Sequence, residues 1–496
     1  MLFDNPLALT FIGYLVLMIV IGFVAWRYTE NFDDYILGGR SLGSIVSALS
    51  YGASDMSGWL LLGLPGAVFM SGVSESWIAF GLITGTFFNW RLVAARLRVY
   101  TEKCSNALTL PDYFTKRFED KQHLLAIVSA IVILIFFTIY CASGMVAGAR
   151  LFEATFDFDY HTALFFGAFA TIAYVFVGGF LAVAWTDAVQ ATLMCIALVV
   201  TPIAVIIDAG GLGSVVASVD AYNPKMLSIM TGQSAIGIIS LLAWGLGYFG
   251  QPHILVRFMA TKSISVIPKA TNTCIMWMLF SMAGAVCVGF FGRAFFLEHA
   301  DLGAAVLANP EKVFIVLSQI LFSPWIAGIL MSAILAAVMS TLSCQLLVSS
   351  STLTEDLYHS IIRPRAGSTE LLCFGRLMVL AVAAVAIYIA MDPASVVFSL
   401  VSYAWAGFGA AFGPVILMSL WFKGMTRNGA LAGMVVGTAT VLVWHSYAWF
   451  GLYELLPGFV FAAVAIYVVS KLGAKNAASI DAQFDAVQAE VKAAKA

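Results

Sequence analysis

Charge is what this chain has least of. Its 25 Lys and Arg and 27 Asp and Glu make up 10% of 496 residues, against 61% hydrophobic, where a soluble domain carries about a quarter charged residues. That scarcity excludes a string of soluble domains. With a mean hydropathy of +0.95, it leaves an all-α polytopic membrane protein as the class. A basic stripe is also missing: the net charge is −2 and the basic residues lie scattered between apolar runs, so no nucleic-acid partner is implied. The seven cysteines (104, 141, 195, 274, 287, 344, 373) show no CxxC or CxxH spacing. That argues against a disulfide framework or a cysteine metal site, because a thiol inside an apolar span behaves as a small hydrophobe. No basic stretch or small-residue cleavage site accompanies the first apolar run, 6–26, which follows Asp4. It is expected to be a retained helix and not a signal peptide.

What the chain has in abundance is apolar windows of about 20 residues. They fall at 6–26, 43–70, 75–95, 124–150, 162–182, 188–208, 233–251, 271–297, 313–348, 370–390, 394–420, 428–448 and 452–471. Thirteen spans put the two termini on opposite sides. With the N-terminus outside, 21 of the 25 Lys and Arg fall in cytoplasmic loops, and only Arg150, Lys225, Arg293 and Lys312 do not. This asymmetry predicts a cytoplasmic C-terminus. In the tail, Ile480, Phe484, Val487 and Val491 recur at helical spacing, which predicts a short amphipathic surface helix.

Two spans are interrupted. GASDMSG (52–58) breaks 43–70, and AWGLGYFGQP (243–252) breaks the span beginning at 233. Each opens a run of five spans. Irregular backbone at membrane depth persists only where it is buried in protein or lines a cavity, and matched breaks in two halves point to a secondary transporter built from inverted repeats. The alternative is that these glycines only permit close helix packing. The expected organisation is an extra helix and loop over 1–42, a first repeat at 43–208, an extracellular connector at 209–232, a second repeat at 233–420, two extra helices at 421–472 and a cytoplasmic tail at 473–496.

Asp55, in the first break, is a carboxylate at membrane depth, where such groups normally face a water path or an ion; capping the second half of its own helix is the competing reading. Ala337, Ser340 and Thr341 share a helix face in ILAAVMSTLSCQLLVSSS (334–351), although such hydroxyls also bond back to their own helix. Hydroxyls and freed carbonyls suit a hard alkali cation, whereas a divalent ion would need more carboxylates than this core has, which favours Na+. Asp187, in what reads as the short loop GGFLAVAWTDAVQ, is either a helix N-cap or a stop on an ion's exit path. A half-helix N-terminus after Met56 offers N–H groups to a carboxylate. Tyr140, Trp244 and Tyr248 can form an apolar wall with polar tips, or simply pack.

DDYILGGRSLG (33–43), SYGASDMSGWLLLGLPGAVFMSG (50–72), ALTLPDYF (107–114), FTIYCASG (137–144), GGFLAVAWTD (178–187), AWGLGYFGQPHILVRFMA (243–260) and ILAAVMSTLSCQLLVSSS (334–351) together closely resemble the sodium/solute symporter family, from about residue 7 to 472. The resemblance implies a LeuT-type five-plus-five inverted-repeat core with one extra helix before it and two after. It implies Na+ as the coupling ion and L-proline as the transported solute, in a bacterial cytoplasmic (inner) membrane. Carried over, the sodium ligands are the carbonyls of Ala53, Met56 and Ala337 and the hydroxyls of Ser340 and Thr341. Asp55 acts beside them and Asp187 serves ion release. Ser57, Gly58, Tyr140, Trp244, Tyr248 and Pro252 line the substrate pocket, and Arg40 sits at the cytoplasmic approach as a gating or coupling residue. Tyr51 departs from the family pattern by its bulk. An aspartyl-protease pairing of Asp55 with Asp187 lacks the glycine-rich sequence expected around one such aspartate. A channel would need repeated filter elements or charge rings. The chain is therefore not expected to be an enzyme, and no feature specifies an oligomer.

Overall fold

The computed structural model describes residues 5–28, 32–175 and 179–494; Asp4 and Gly178 lie outside them. Among these residues there is no strand, only an isolated bridge between Leu42 and Thr261. Among the described residues ten helices are long and apolar enough to cross a membrane, eleven if the bent pair Ala235–Gly250 and Pro252–Met259, at 48° to each other, is counted as one span. Trp59–Ser71 and Tyr160–Ile172 are apolar but shorter.

The helices sort by how much of their surface other helices cover. In Pro6–Ala25 and Ser368–Ala390 only 28% and 22% of the apolar window is buried, so these all-round apolar helices present most of their surface to lipid. Pro324–Ile362 is 89% buried and forms the axis of the molecule, flanked by Pro6–Trp26, Ser44–Asp55, Leu124–Phe156 and Phe180–Asp208. Its alanines and serines allow this, because small side chains let neighbouring backbones approach.

Three expectations change at this level. The window 313–348 is not one helix: Val313–Leu321 stops at Phe322, whose backbone is extended (φ −122°, ψ 154°), and Pro324 starts a new helix at its first position. Asp187 is in neither a loop nor a cap. The helix starts at Phe180 after Gly179 and carries Asp187 fully buried two turns in. Arg257, counted above as a cytoplasmic loop charge, is 1% exposed within Pro252–Met259.

The tail does form a helix, Ala478–Ala493, with Ile480, Phe484, Val487 and Val491 all buried. Its apolar face packs on Ala95–Lys103. Ion pairs from Glu490 to Lys103 (2.9 Å) and from Asp485 to Lys423 (2.6 Å) hold it there.

Candidate functional site

The first break follows from where the backbone amides go. The helix Ser44–Asp55 ends as Met56 leaves helical space (φ −79°, ψ 77°), and the Ser57 amide turns back to the Asp55 carbonyl at 2.9 Å. The Ala53 carbonyl therefore lacks its helical donor from Ser57. It accepts instead from two hydroxyls of another helix, Ser340 Oγ at 2.9 Å and Thr341 Oγ1 at 3.2 Å. Ser340 also donates to the Ala337 carbonyl at 3.1 Å. Helix resumes from Gly58, where a Cβ would come within 2.5 Å of the Ala147 side chain, so the Leu124–Phe156 helix can touch the break only because residue 58 is glycine. Ser57 lies between them, 2% exposed.

The second break is a 3-10 stretch, Trp244–Gly250, ending at Gln251 (φ −81°, ψ 108°) with Pro252 opening the next helix. Gly250 is required here, because its Cβ position is filled by the Phe408 carbonyl and the Gly413 amide of the helix Val397–Trp421. The Gln251 side-chain Nε2 donates to the Trp405 carbonyl at 3.1 Å, and the Trp405 indole donates to the Trp244 carbonyl at 2.8 Å. The 3-10 stretch, where the α-helical ladder is interrupted, is thus tied to its neighbour.

The two breaks meet through Asp55. Its carboxylate accepts from the Tyr248 hydroxyl, and its carbonyl accepts from Trp59 Nε1 at 3.2 Å and from the Tyr140 hydroxyl at 3.4 Å. Asp55 does not cap the following half-helix; its carboxylate points across to the other break, and its Oδ1 has no hydrogen-bond partner. Tyr248 stacks on Tyr51 with centroids 5.8 Å apart and meets Trp405 edge-on at 5.1 Å. The bulk of Tyr51 thus stands directly behind Tyr248. Trp244 stacks with Phe398 at 5.3 Å and Tyr453 at 5.5 Å, 6.0 Å from Trp59. Pro252 lines a neighbouring crevice with Arg257 and Cys344.

Of the residues singled out from sequence, the structure groups Ala53, Asp55, Met56, Ala337, Ser340 and Thr341 on one side of the first break and Tyr140, Trp244 and Tyr248 around it. Two stand apart. Arg40 lies at the end of the bundle, donating to the carbonyls of Met259 (2.6 Å) and Ala107 (2.9 Å), to Asn106 Oδ1 (3.0 Å) and to Thr101 Oγ1 (3.1 Å). Asp187 belongs to a buried cluster with Ser50, Ser54, Cys344 and Arg257. Sequence reasoning missed Arg257 and the two serines, and the one available signal was an arginine inside the apolar run PHILVRFMA.

A family model described as the sodium:solute symporter family matches residues 35–437. The chain is 61% identical over 484 residues to a protein of Escherichia coli (strain K12) named a sodium/proline symporter, covering 98% of this chain and 96% of that one. It is 50% identical over 472 residues to a protein of Bacillus subtilis (strain 168) named a high-affinity proline transporter, covering 95% and 99%. Among solved structures, the substrate-bound outward-open state of a Na+-coupled sialic acid symporter superposes with a TM-score of 0.81 at 16% identity, covering 95% of this chain and 99% of that one. A nucleobase-cation-symport-1 transporter in a closed conformation gives 0.57 at 13% identity, covering 92% and 99%. These two likenesses show the fold.

Proposed function

The chain belongs to the sodium:solute symporter family, and on that footing we propose that it is a secondary active transporter coupling inward Na+ movement to uptake of L-proline by alternating access. The substrate assignment is supported by the names of relatives matched over nearly their full length. The observation that carries the mechanism is the Ala53 carbonyl, released by the break and met by the Ser340 and Thr341 hydroxyls.

In this reading Na+ is held by the carbonyls of Ala53, Met56 and Ala337 and the hydroxyls of Ser340 and Thr341, an all-oxygen set suited to a hard monovalent ion. Asp55 supplies the neighbouring negative charge. Proline docks beside it, its carboxylate toward the N–H groups of Ser57 and Gly58 at the start of the half-helix. Its ring lies against Tyr140, Trp244 and Tyr248, with Pro252 at the edge. Sodium beside Asp55 draws that carboxylate away from the Tyr248 hydroxyl, leaving Tyr248 to the substrate. The same exchange makes each ligand tighten the other by an equal factor. One cage and a zwitterionic substrate give one Na+ per proline and one positive charge moved per cycle. Asp187 lies on the ion's release path, and Arg40 closes the cytoplasmic end.

In the same reading the broken segment 44–71 and the helix beginning at Tyr160 are counted as crossings beside the ten long spans and the bent pair, which makes thirteen. On this reading the repeats run over 43–208 and 233–420 in a bacterial inner membrane, with the N-terminus outside and the C-terminus cytoplasmic. The test is uptake of labelled proline into proteoliposomes under an imposed Na+ gradient, with competition by other amino acids, betaines, sugars and carboxylates. Uptake that needs Na+ and is blocked by excess proline is expected. Sodium-independent uptake, or preference for another solute, would overturn the assignment.

A further inference from the structure

The Asp187 cluster holds an arginine, Arg257, that the coupling scheme does not use. Asp187 is fully buried, and its Oδ2 accepts from Ser50 Oγ at 2.7 Å, Ser54 Oγ at 3.4 Å and Arg257 Nη2 at 3.1 Å, with Cys344 Sγ at 3.8 Å. Its Oδ1 has no hydrogen-bond partner. The guanidinium is fixed from several sides: Nε donates to Ser50 Oγ at 3.1 Å, Nη1 to the His253 carbonyl at 2.6 Å and Nη2 to Cys344 Sγ, while the Phe180 ring lies 5.2 Å below. Without the guanidinium, this nest would be a carboxylate with one free oxygen and two serine hydroxyls. That is the same kind of hard-oxygen donor set as the sodium cage. It is also contiguous with that cage, because Ser54 follows Ala53 and Cys344 lies one helical turn beyond Ser340 and Thr341.

We propose that Arg257 is a tethered cation filling what would otherwise be a second Na+ site, so that this residue sets the coupling at one ion per substrate. The inference rests on the sodium-coupled reading above. A buried carboxylate needs a positive partner. Asp187 has one covalently supplied by the chain, whereas the Asp55 carboxylate accepts only from a neutral phenol and takes its counter-charge from the mobile ion. Removing the tether while keeping Asp187 leaves two carboxylates to neutralise and two oxygen nests in which to do so. Arg257 touches neither ion nor substrate; it is a specificity-determining residue for ion number.

The experiment is equilibrium binding of 22Na+ to the purified full-length chain, with proline binding measured on the same samples, for the wild type, Arg257→Gln, Arg257→Lys, Asp187→Asn and the double variant Arg257→Gln/Asp187→Asn. The wild type and Arg257→Lys are expected to hold one Na+ per chain and Arg257→Gln two, with a steeper sodium dependence of proline binding. The double variant is expected to return to one. In Asp187→Asn the uncompensated guanidinium next to the cage should weaken Na+ by about tenfold or more, and the double variant should recover that loss. One Na+ per chain in a proline-binding Arg257→Gln protein would overturn the proposal. If that variant does not fold, a double variant with Na+ binding no tighter than Asp187→Asn would overturn it equally. A wild type that binds neither Na+ nor proline would instead sink the sodium-coupled reading itself.

Discussion

Replacing Ser340 by alanine separates an ion ligand from a structural hydroxyl. In the structure Ser340 Oγ donates to the Ala53 carbonyl at 2.9 Å and the Ala337 carbonyl at 3.1 Å. Neither acceptor is stranded by its loss: Thr341 still donates to Ala53 at 3.2 Å, and the Ala337 carbonyl sits in the middle of an intact helix. The cost to folding is therefore at most that of one neutral hydrogen bond, about 0.5–1.5 kcal/mol. A hydroxyl that contacts a charge contributes about 1.5–3 kcal/mol, which at about 1.4 kcal/mol per decade is about 10- to 150-fold in affinity. Half-saturating Na+ for proline uptake should rise by that factor, with expression and thermal unfolding in detergent little changed. The double variant with Thr341→Ala strands the Ala53 carbonyl and should lose stability as well. A Ser340→Ala protein with wild-type sodium dependence would show that the hydroxyl takes no part in ion binding, and a lowered melting temperature beside it would show that it only closes the break.

Tyr248→Phe removes the phenol that bonds the Asp55 carboxylate; proline affinity is expected to fall about tenfold while sodium binding without proline persists, which direct binding of each ligand will show. One charge per cycle is worth about 2.3 kcal/mol at 100 mV, and a tenfold Na+ gradient adds about 1.4 kcal/mol, so proline should accumulate about 500-fold at equilibrium; a flux ratio of two Na+ per proline in voltage-clamped proteoliposomes would contradict this. A cysteine replacing the exposed Ala489 of the tail helix should react with an impermeant thiol reagent only after cells are permeabilised, and labelling in intact cells would reverse the orientation. Gly247→Ala drives a methyl into the Trp405 indole and is expected to cost about 1–3 kcal/mol of stability, read as a lower yield and a lower melting temperature.

The two breaks were legible because glycine, serine and proline interrupt otherwise apolar runs, and the structure interrupts its helices at those residues. Ser340 and Thr341 were legible through helical spacing, and their meeting with Ala53 is seen in the folded chain. What sequence could not supply was long-range pairing. Arg257 follows an apolar run near a membrane edge and reads as a loop charge, yet it is buried because a carboxylate 70 positions away is buried against it. Asp187 looked like a cap because the apolar window 188–208 begins just after it, but the helix starts at Phe180, two turns earlier, with Gly179 before it. The same limit applied to Asp55, whose carboxylate serves the distant Tyr248 and not the nearby amides.

The tie at Arg40 is unevenly shared between its ends. Among its acceptors are two main-chain carbonyls, those of Met259 and Ala107, and a carbonyl survives almost any replacement of the side chain beside it. The donors all belong to one guanidinium, whose planar fork reaches four acceptors at once where a lysine ammonium is a single point charge. Drift in sequence across the segments 101–107 and 257–261 can therefore proceed with both carbonyl contacts untouched, while a single codon change at position 40 removes every contact of the guanidinium. The tie thus tolerates change in the segments it joins and none at Arg40 itself.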